Sequence, residues 1–457
     1  MKKTDLMDLK NKHIVVVGLG RSGVSVVRFL VSQGCSVTVT DNRSPEELQN
    51  ILPALNGLDI AIELGRHEDR TFENADLIVL SPGVPHTIGP VVSAQAKGVP
   101  VIGEIELAYQ FLHTPILAIT GTNGKSTVTE LLGEMLQLSG FTVLIGGNLG
   151  TPLIEFVDQQ DGIDFIVAEI SSFQLDTIDR FRPHVSVILN ITDDHLERYA
   201  DFGDYARSKA RIFENQEPND ICIINAADPA ILAISKNLTA TKFAFNCAQI
   251  VDNRSWIDRQ TLWFHTPDDG DQPVDCSDIP LKGRHNLENA AAAGLATLAV
   301  GGMIAGVTHA LKVFKGLHHR VEYVDTKGGV TFYDDSKATN VDAVVRALES
   351  FSGPVVLIMG GRDKGGSYES LKPQMARCVK QLIVMGEAAE KIASVFKDMV
   401  PVVWAANMGE AVLLAAGTGV NGDTVLLSPA CSSFDMYTSY AQRGDDFVRS
   451  IAQLTGR

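Results

Sequence analysis

Short runs rich in Val and Ile recur along the chain, separated by longer stretches in which apolar residues return every three or four positions. In the first part these runs are HIVVV at 13–17, SVTVTD at 36–41 and DLIVLSPG at 76–83. Strand-like runs alternating with helix-like stretches imply parallel strands joined by crossover helices. Pro100 and a helix-like stretch at 104–112 separate this unit from PILAIT at 115–120, which places a boundary near Glu104. The alternation resumes with FIVAEI at 165–170, VSVILNI at 185–191 and ICIINA at 221–226. A polar stretch at 251–278 reads as hairpins on the rim of this second unit, and an Ala-rich helix from near Asn286 closes it. After Gly316, a third series begins: VTFYDD at 330–335, VVLIMGG at 355–361, QLIVMG at 381–386 and DTVLLSPA at 423–430. The expected fold is α/β in three domains, spanning 1–104, 105–316 and 317–457.

One apolar stretch, 290–307, has the length of a membrane span. It is mostly Ala and Gly with Gly301-Gly302 inside it, so it reads as a buried helix followed by a turn, and no membrane insertion is expected. The early apolar run at 14–17 leads into glycines rather than a cleavage site, so no signal peptide is read.

A length of 457 residues suits two or three cores, and 45% apolar with 21% charged residues is ordinary for a globular protein. The formal charge of −16 argues against binding a nucleic-acid polymer, since phosphate backbones are held by summed positive charge. An anionic ligand must be met by local cations. Cys35, Cys222, Cys247, Cys276, Cys378 and Cys431 form no C-x-x-C pair, which fits a reducing cytoplasm better than a disulfide scaffold or zinc site. A monomer is the default expectation.

The strongest local signal is PILAIT followed by GTNGKST and a helical run at 128–138. A strand, a glycine-rich turn and a helix N-terminus present backbone N–H groups to a phosphate. Lys125 would meet the terminal phosphates and Ser126 would offer a hydroxyl to Mg²⁺. The strict pattern G-x-x-x-x-G-K-[ST] is not met, because Ile119 stands at its first glycine; Gly121 supplies the flexibility instead. GLGRSG at 18–23 follows the first strand, with Asp41 ending the next, which matches the spacing of a dinucleotide fingerprint. A Rossmann-type turn without a nucleotide satisfies the same pattern. Glu169, Asp193, Asp194 and His195 follow strands beside the phosphate loop, where carboxylates suit Mg²⁺, although a lone His is more often a core or surface residue. Lys209 would by default be solvated. GGRDKGG at 360–366, LSPACSSFD at 427–435 and DDSKATN at 334–340 are ligand-type loops at strand ends, with an N-cap role for Asp335 or Ser336 and ordinary surface roles for Lys337 and Lys364 as the plain alternatives.

In this order GTNGKST, EISSFQL, TDDHLERY, KGRHNLEN, GLHHRVE, DDSKATN, GGRDKGG and LSPACSSFD resemble the Mur ligase family of peptidoglycan precursor synthesis, over essentially the whole chain. The last three motifs are similar to its D-glutamate-adding member. The resemblance implies a Rossmann-like N-terminal domain for a uridine diphosphate sugar, a central P-loop-type ATPase domain, and a Rossmann-like C-terminal domain for the amino acid. It implies that Arg21, Ser22, Asn42, Arg43, Ser81, Gly83 and Asn148 line the uridine diphosphate channel. Gly121, Thr122, Asn123, Gly124, Lys125, Ser126 and Thr127 would hold ATP phosphates, with Asn286 and Asn289 near adenine and Arg320 and Asp335 on phosphate and ribose. Ser126, Glu169 and His195 would bind Mg²⁺, joined by Lys209 if it is carbamylated; Lys125, His195 and Lys209 are then the catalytic candidates. Lys337, Thr339, Lys364, Ser433, Phe434 and Tyr440 fall where D-glutamate is held. The implied substrates are UDP-N-acetylmuramoyl-L-alanine and D-glutamate, with ATP and Mg²⁺ as cofactors.

The rival readings are a folylpolyglutamate synthetase type of amide ligase, an NAD-dependent oxidoreductase resting on GLGRSG alone, and a nucleotide-binding regulatory module without turnover.

Overall fold

A computed structural model describes residues 7–194, 198–248, 251–281 and 283–454. The first sheet contains β1 (His13–Val17), β2 (Ser36–Asp41), β3 (Ile60–Leu64), β4 (Leu77–Leu80) and β5 (Val101–Gly103), all parallel in the order β3-β2-β1-β4-β5. Strand order reverses between β1 and β4, and in open parallel sheets the crevice outside the strand ends at such a reversal is where ligands bind.

The second sheet holds β6 (Ile116–Thr120), β7 (Val143–Gly147), β8 (Phe165–Glu169), β9 (Val185–Ile188), β10 (Ile221–Asn225), β11 (Thr241–Phe245), β12 (Arg254–Asp258), β13 (Thr261–Thr266) and β14 (Gly270–Asp275). Its order is β14-β13-β12-β11-β10-β9-β6-β8-β7. The polar stretch expected to form rim hairpins is the antiparallel β12-β13-β14 edge. Every residue of β6 is buried, and the following helix Lys125–Leu138 buries Val128, Leu131, Leu132, Met135 and Leu136, the three-and-four spacing of one helix face.

The third sheet runs β15-β16-β20-β17-β18-β19, with β15 (Glu322–Lys327) antiparallel to β16 (Val330–Asp334), and β17 (Val355–Gly360), β18 (Val379–Met385), β19 (Val402–Trp404) and β20 (Thr424–Leu427) parallel. Along β17, Val355, Leu357 and Met359 enter one core while Val356 and Ile358 enter the other. Cores on both faces require an uninterrupted apolar strand, which is why VVLIM carries no polar alternation.

These sheets belong to two compact units. One comprises Met1–Asn190, Gly203–Asp275 and Ala290–Ala310; the other comprises Ile191–Phe202, Cys276–Asn289 and Leu311–Arg457. The apolar stretch at 290–307 splits as expected between helix Arg284–Ala299, a turn at Gly301 with φ +84°, and helix Ile304–Val313. Among the described residues no helix is long and apolar enough to cross a membrane. All six cysteines are free thiols. The N-cap alternative for Asp335 or Ser336 is wrong: the next helix, Val341–Glu349, starts later and is capped by the Asn340 side chain, which accepts from the Ala343 N–H.

Candidate active site

Between β6 and helix Lys125–Leu138 the chain turns at Gly121 (φ +152°) and Gly124 (φ +87°). A Cβ on Gly121 would stand 3.0 Å from Leu189 Cβ, so this glycine serves both the backbone angle and a close approach to the chain leaving β9. Ile119, the departure from the strict phosphate-loop pattern, lies inside β6 in register with Glu169 of β8, where a buried apolar residue is what the sheet needs. No side chain caps the helix start at Gly124, which leaves the positive end of the helix facing the loop. Ser126 and Thr127 are buried on its first turn.

Two ammonium groups converge on one carbonyl. Lys125 Nζ donates to the Gly121 and Thr122 carbonyls at 2.8 and 2.9 Å, and Lys209 Nζ donates to the same Gly121 carbonyl at 2.9 Å. Lys209 is only 1% exposed, and its Nζ lies 4.6 Å from the Tyr205 ring centroid, so its default reading as a solvated lysine is wrong. The Tyr205 hydroxyl lies 3.2 Å from Thr122 Oγ1. Asn190 clamps Asn123 by accepting from its N–H and donating to its carbonyl. Neither Tyr205 nor Asn190 was singled out by sequence; Asn190 stands just before the TDDH motif, a position that gave the only available hint.

Glu169, 2% exposed, ends β8 beside this loop and accepts from Asn148 Nδ2 at 2.8 Å. Gly147 lets the two chains touch, since its added Cβ would fall 2.3 Å from the Glu169 carbonyl oxygen. His195 lies outside the described residues.

A cavity of about 490 Å³ opens at the ends of β1, β2 and β4, and Arg21, Ser22, Asn42, Arg43, Ser81, Gly83 and Asn148 all line it. Gly18 turns with φ +92°, and Gly23 packs so tightly that a Cβ there would meet the Gly18 carbonyl at 2.1 Å. Ser81 Oγ donates to that carbonyl. Asp41 is already engaged: it accepts from the Leu19 N–H, the Arg43 N–H, and Arg43 Nε and Nη2, all between 2.7 and 3.0 Å. Burial raises its pKa, but these bonds to Arg43 and Leu19 outweigh burial and hold it below the usual carboxylate range. Four donors occupy the acceptor sites that a nicotinamide dinucleotide's ribose hydroxyls would need. The fingerprint is therefore built as a phosphate-type turn whose acid organises Arg43.

In the second unit, β16, β20 and β17 are neighbours, so the loops after them emerge at one sheet edge. Asp335, Lys337 and Thr339 follow β16, Lys364 follows β17, and Ser433 and Phe434 follow β20, while Tyr440 starts helix Tyr440–Ala452. Lys337 Nζ lies 5.3 Å from the Tyr440 ring centroid. Lys364 Nζ is 3.8 Å from Asp194 Oδ1, and Asn340 Nδ2 donates to Asp194 Oδ2, which ties the TDDH motif to these loops. Ser433 is buried, whereas Phe434 is 64% exposed. Burial pushes the Asp335 carboxyl up to about 7, against the bond from Ser428 Oγ and the charge of Arg320. His319 and Asp334 form a pair at 2.7 Å that sequence reading missed. Asn286 and Asn289 lie three residues apart on helix Arg284–Ala299, with Asn289 Nδ2 3.3 Å from Asn286 Oδ1.

A phosphate loop met by two lysines, a separate cavity at a Rossmann-type turn, and a third sheet bearing cationic loops fit a multidomain nucleotide-using ligase. Family models agree along the chain: "Mur ligase MurD-like, N-terminal domain" matches residues 12–103, "Mur ligase middle domain" 119–297, and "Mur ligase, glutamate ligase domain" 319–431. The chain belongs to the Mur ligase family and is an ATP-dependent amide ligase. Among individual proteins, it is 47% identical to the UDP-N-acetylmuramoylalanine--D-glutamate ligase of Desulfosudis oleivorans, over 98% of both chains. The enzyme of the same name from Desulfatibacillum aliphaticivorans is 46% identical, over 98% of this chain and all of the relative. A solved pseudomurein peptide ligase type C from Methanothermus fervidus shares the fold, with a TM-score of 0.62 at 21% identity, covering 96% of this chain and 100% of that one.

Proposed function

We propose that this chain joins D-glutamate to the L-alanine carboxylate of UDP-N-acetylmuramoyl-L-alanine, forming ADP, phosphate and an amide in peptidoglycan precursor synthesis. The observation that carries this reading is the full-length similarity to D-glutamate ligases, supported by a glycine-rich loop on whose Gly121 carbonyl Lys125 and Lys209 converge, with Glu169 at the end of the neighbouring strand. A carboxylate is a poor acylating agent. Its oxygen attacks the ATP γ-phosphorus, ADP leaves, and the resulting acyl phosphate is attacked at carbon by the D-glutamate amine, which loses a proton as phosphate departs.

Lys125 rotates from the loop carbonyls to the γ-phosphate and offsets charge during transfer, while Gly121 to Thr127 orient the phosphates through backbone N–H groups. Ser126 and Glu169 offer the hard oxygen donors that Mg²⁺ prefers, and a bound Mg²⁺ would neutralise phosphate charge. Lys209 as an ammonium does not fit a metal-ligand role; as a carbamate it would, because the added carboxylate oxygens are hard donors. His195 completes the proposed metal set. Asn286, Asn289, Arg320 and Asp335 are assigned to adenine, phosphate and ribose. Lys337 and Lys364 suit a dicarboxylate, with Thr339, Ser433, Phe434 and Tyr440 around it. Arg21, Ser22, Asn42, Arg43, Ser81, Gly83 and Asn148 are assigned to the uridine diphosphate. We also propose domain limits of 1–104, 105–316 and 317–457, a cytoplasmic location and a monomeric state.

The test is phosphate release with ATP, Mg²⁺ and UDP-N-acetylmuramoyl-L-alanine, comparing D-glutamate, L-glutamate and meso-diaminopimelate. D-Glutamate alone is expected to stimulate release. Equal stimulation by L-glutamate or by meso-diaminopimelate sinks the assignment.

A further inference from the structure

Arg443 sits on helix Tyr440–Ala452 and is 2% exposed, yet every acceptor it reaches is a neutral carbonyl or hydroxyl. Its Nε donates to Ser336 Oγ at 3.0 Å, and Nη2 donates to the Ser336 and Cys431 carbonyls at 2.9 and 3.1 Å. Nη1 donates to the Gly360 and Ser432 carbonyls at 3.3 and 3.4 Å. Ser336 Oγ in turn donates a hydrogen bond to the Tyr440 carbonyl, which closes the set back onto the helix that carries Arg443. Burial pushes the guanidinium down to about 10, so it keeps its charge at neutral pH.

A buried cation without a carboxylate bonded to it is a costly way to fill a core, and an apolar side chain would fill the same volume more cheaply. What an apolar residue cannot do is hold the end of β17 and the backbones after β16 and β20 with one planar fork of donors. The three loops follow β16, β17 and β20, and each carries candidates for the amino-acid substrate within a few residues of the bonded carbonyl: Lys337 beside Ser336, Lys364 beyond Gly360, and Ser433 beside Ser432.

We propose that Arg443 is a positioning residue for the amino-acid substrate, locking the loops after β16, β17 and β20 into one receptor for a dicarboxylate and placing a permanent positive charge behind it. This rests on the reading of those loops as the D-glutamate site. Lysine keeps the charge but cannot replace the fork, and alanine removes both.

The test compares full-length wild type, Arg443→Lys and Arg443→Ala by steady-state kinetics in each substrate, with thermal unfolding to establish that each variant folds. The KM for D-glutamate is expected to rise roughly tenfold or more in Arg443→Lys and further in Arg443→Ala, with the KM for ATP and for the UDP substrate within about twofold of wild type. Added methylguanidinium is expected to restore part of the D-glutamate affinity of Arg443→Ala and none of that of Arg443→Lys. A folded variant with wild-type KM for D-glutamate overturns the proposal. So does a parallel rise in all three KM values, which marks a merely structural cross-link. Should Arg443→Ala fail to fold, Arg443→Lys decides by the same criteria. Wild type that does not respond to D-glutamate at all overturns the reading of the site instead, so the two failures are distinguishable.

Discussion

At the scale of single residues, the loop carbonyl of Gly121 is shared by two ammonium groups, Lys125 and Lys209; local sequence marks the first, and only the family resemblance marks the second. Lys125 declares itself because its motif is contiguous; the burial of Lys209 depends on Tyr205 and on a loop far away in sequence. In the role proposed for Lys125, its replacement by Ala removes the charge that offsets the transferring phosphoryl group, and turnover is expected to fall by about 10²–10³ or more. The half-buried side chain makes little of the fold, so the unfolding midpoint is expected to stay within about 2 °C of wild type. Near-normal phosphate release by the variant contradicts the role given to Lys125. Asp335 has an effect on stability with a definite sign. Its carboxyl titrates near 3.8 when unfolded and at about 7 when folded, so across that interval the folded state binds more protons and stability falls as pH rises. That contribution is fully present below the lower value and lost above the upper one. Relative to Asp335→Asn, wild type is expected to lose stability between about pH 4 and pH 7, by at most about 1.4 kcal/mol per pH unit. Urea midpoints for the two proteins at several pH values give the difference directly, and parallel curves contradict it.

At the scale of elements, helix Arg21–Ser32 shows how a glycine fixes a binding surface. Gly23 has the Gly18 carbonyl 2.1 Å from where a Cβ would be, whereas Gly20 has nothing within 4 Å. Gly23→Ala therefore has to push the helix off β1, with an expected cost of about 1–3 kcal/mol. Arg21 and Ser22 ride on the same helix, so the KM for the UDP substrate is expected to rise as well. Gly20→Ala is expected to leave stability unchanged and to raise KM alone, because its methyl enters the cavity. Equal unfolding midpoints for the two variants contradict the packing argument. The same physics explains which elements could be read in advance. Strands with both faces covered, such as β1, β6 and β17, are continuous apolar runs and stand out. Edge strands β3 and β15 carry exposed positions, and β5 and β19 are only three residues long, so their runs are broken or short. The contacts that assemble the site, Asn190 on Asn123 and Arg443 on the end of β17 and the backbones after β16 and β20, join residues distant in sequence and leave no local pattern.

At the scale of the whole molecule, a net charge of −16 meets three anionic substrates, so the favourable potential has to be local. The cations placed to supply it are Lys125 and Lys209 beside the phosphate loop, Arg21 at the first cavity, where Asp41 pairs with Arg43, and Lys337 at the third sheet, where Lys364 lies 3.8 Å from Asp194. The chain divides into two compact units, each with its own sheets, and two units of this size are expected to unfold in more than one calorimetric step. All seven cavity residues assigned to the uridine diphosphate lie in the first unit, so a ligand held there stabilises that unit against its own unfolding. At a free concentration of about a hundred times Kd, UDP-N-acetylmuramoyl-L-alanine is expected to add about 2.7 kcal/mol to that step. The second unit's transition is expected to stay where it was. NADH at the same concentration is expected to move neither, because Asp41 has no acceptor left for its ribose. Calorimetry with each ligand in turn separates the outcomes: a shift of the second transition alone displaces the uridine diphosphate from the first cavity, and an equal shift with NADH restores the dinucleotide reading of GLGRSG.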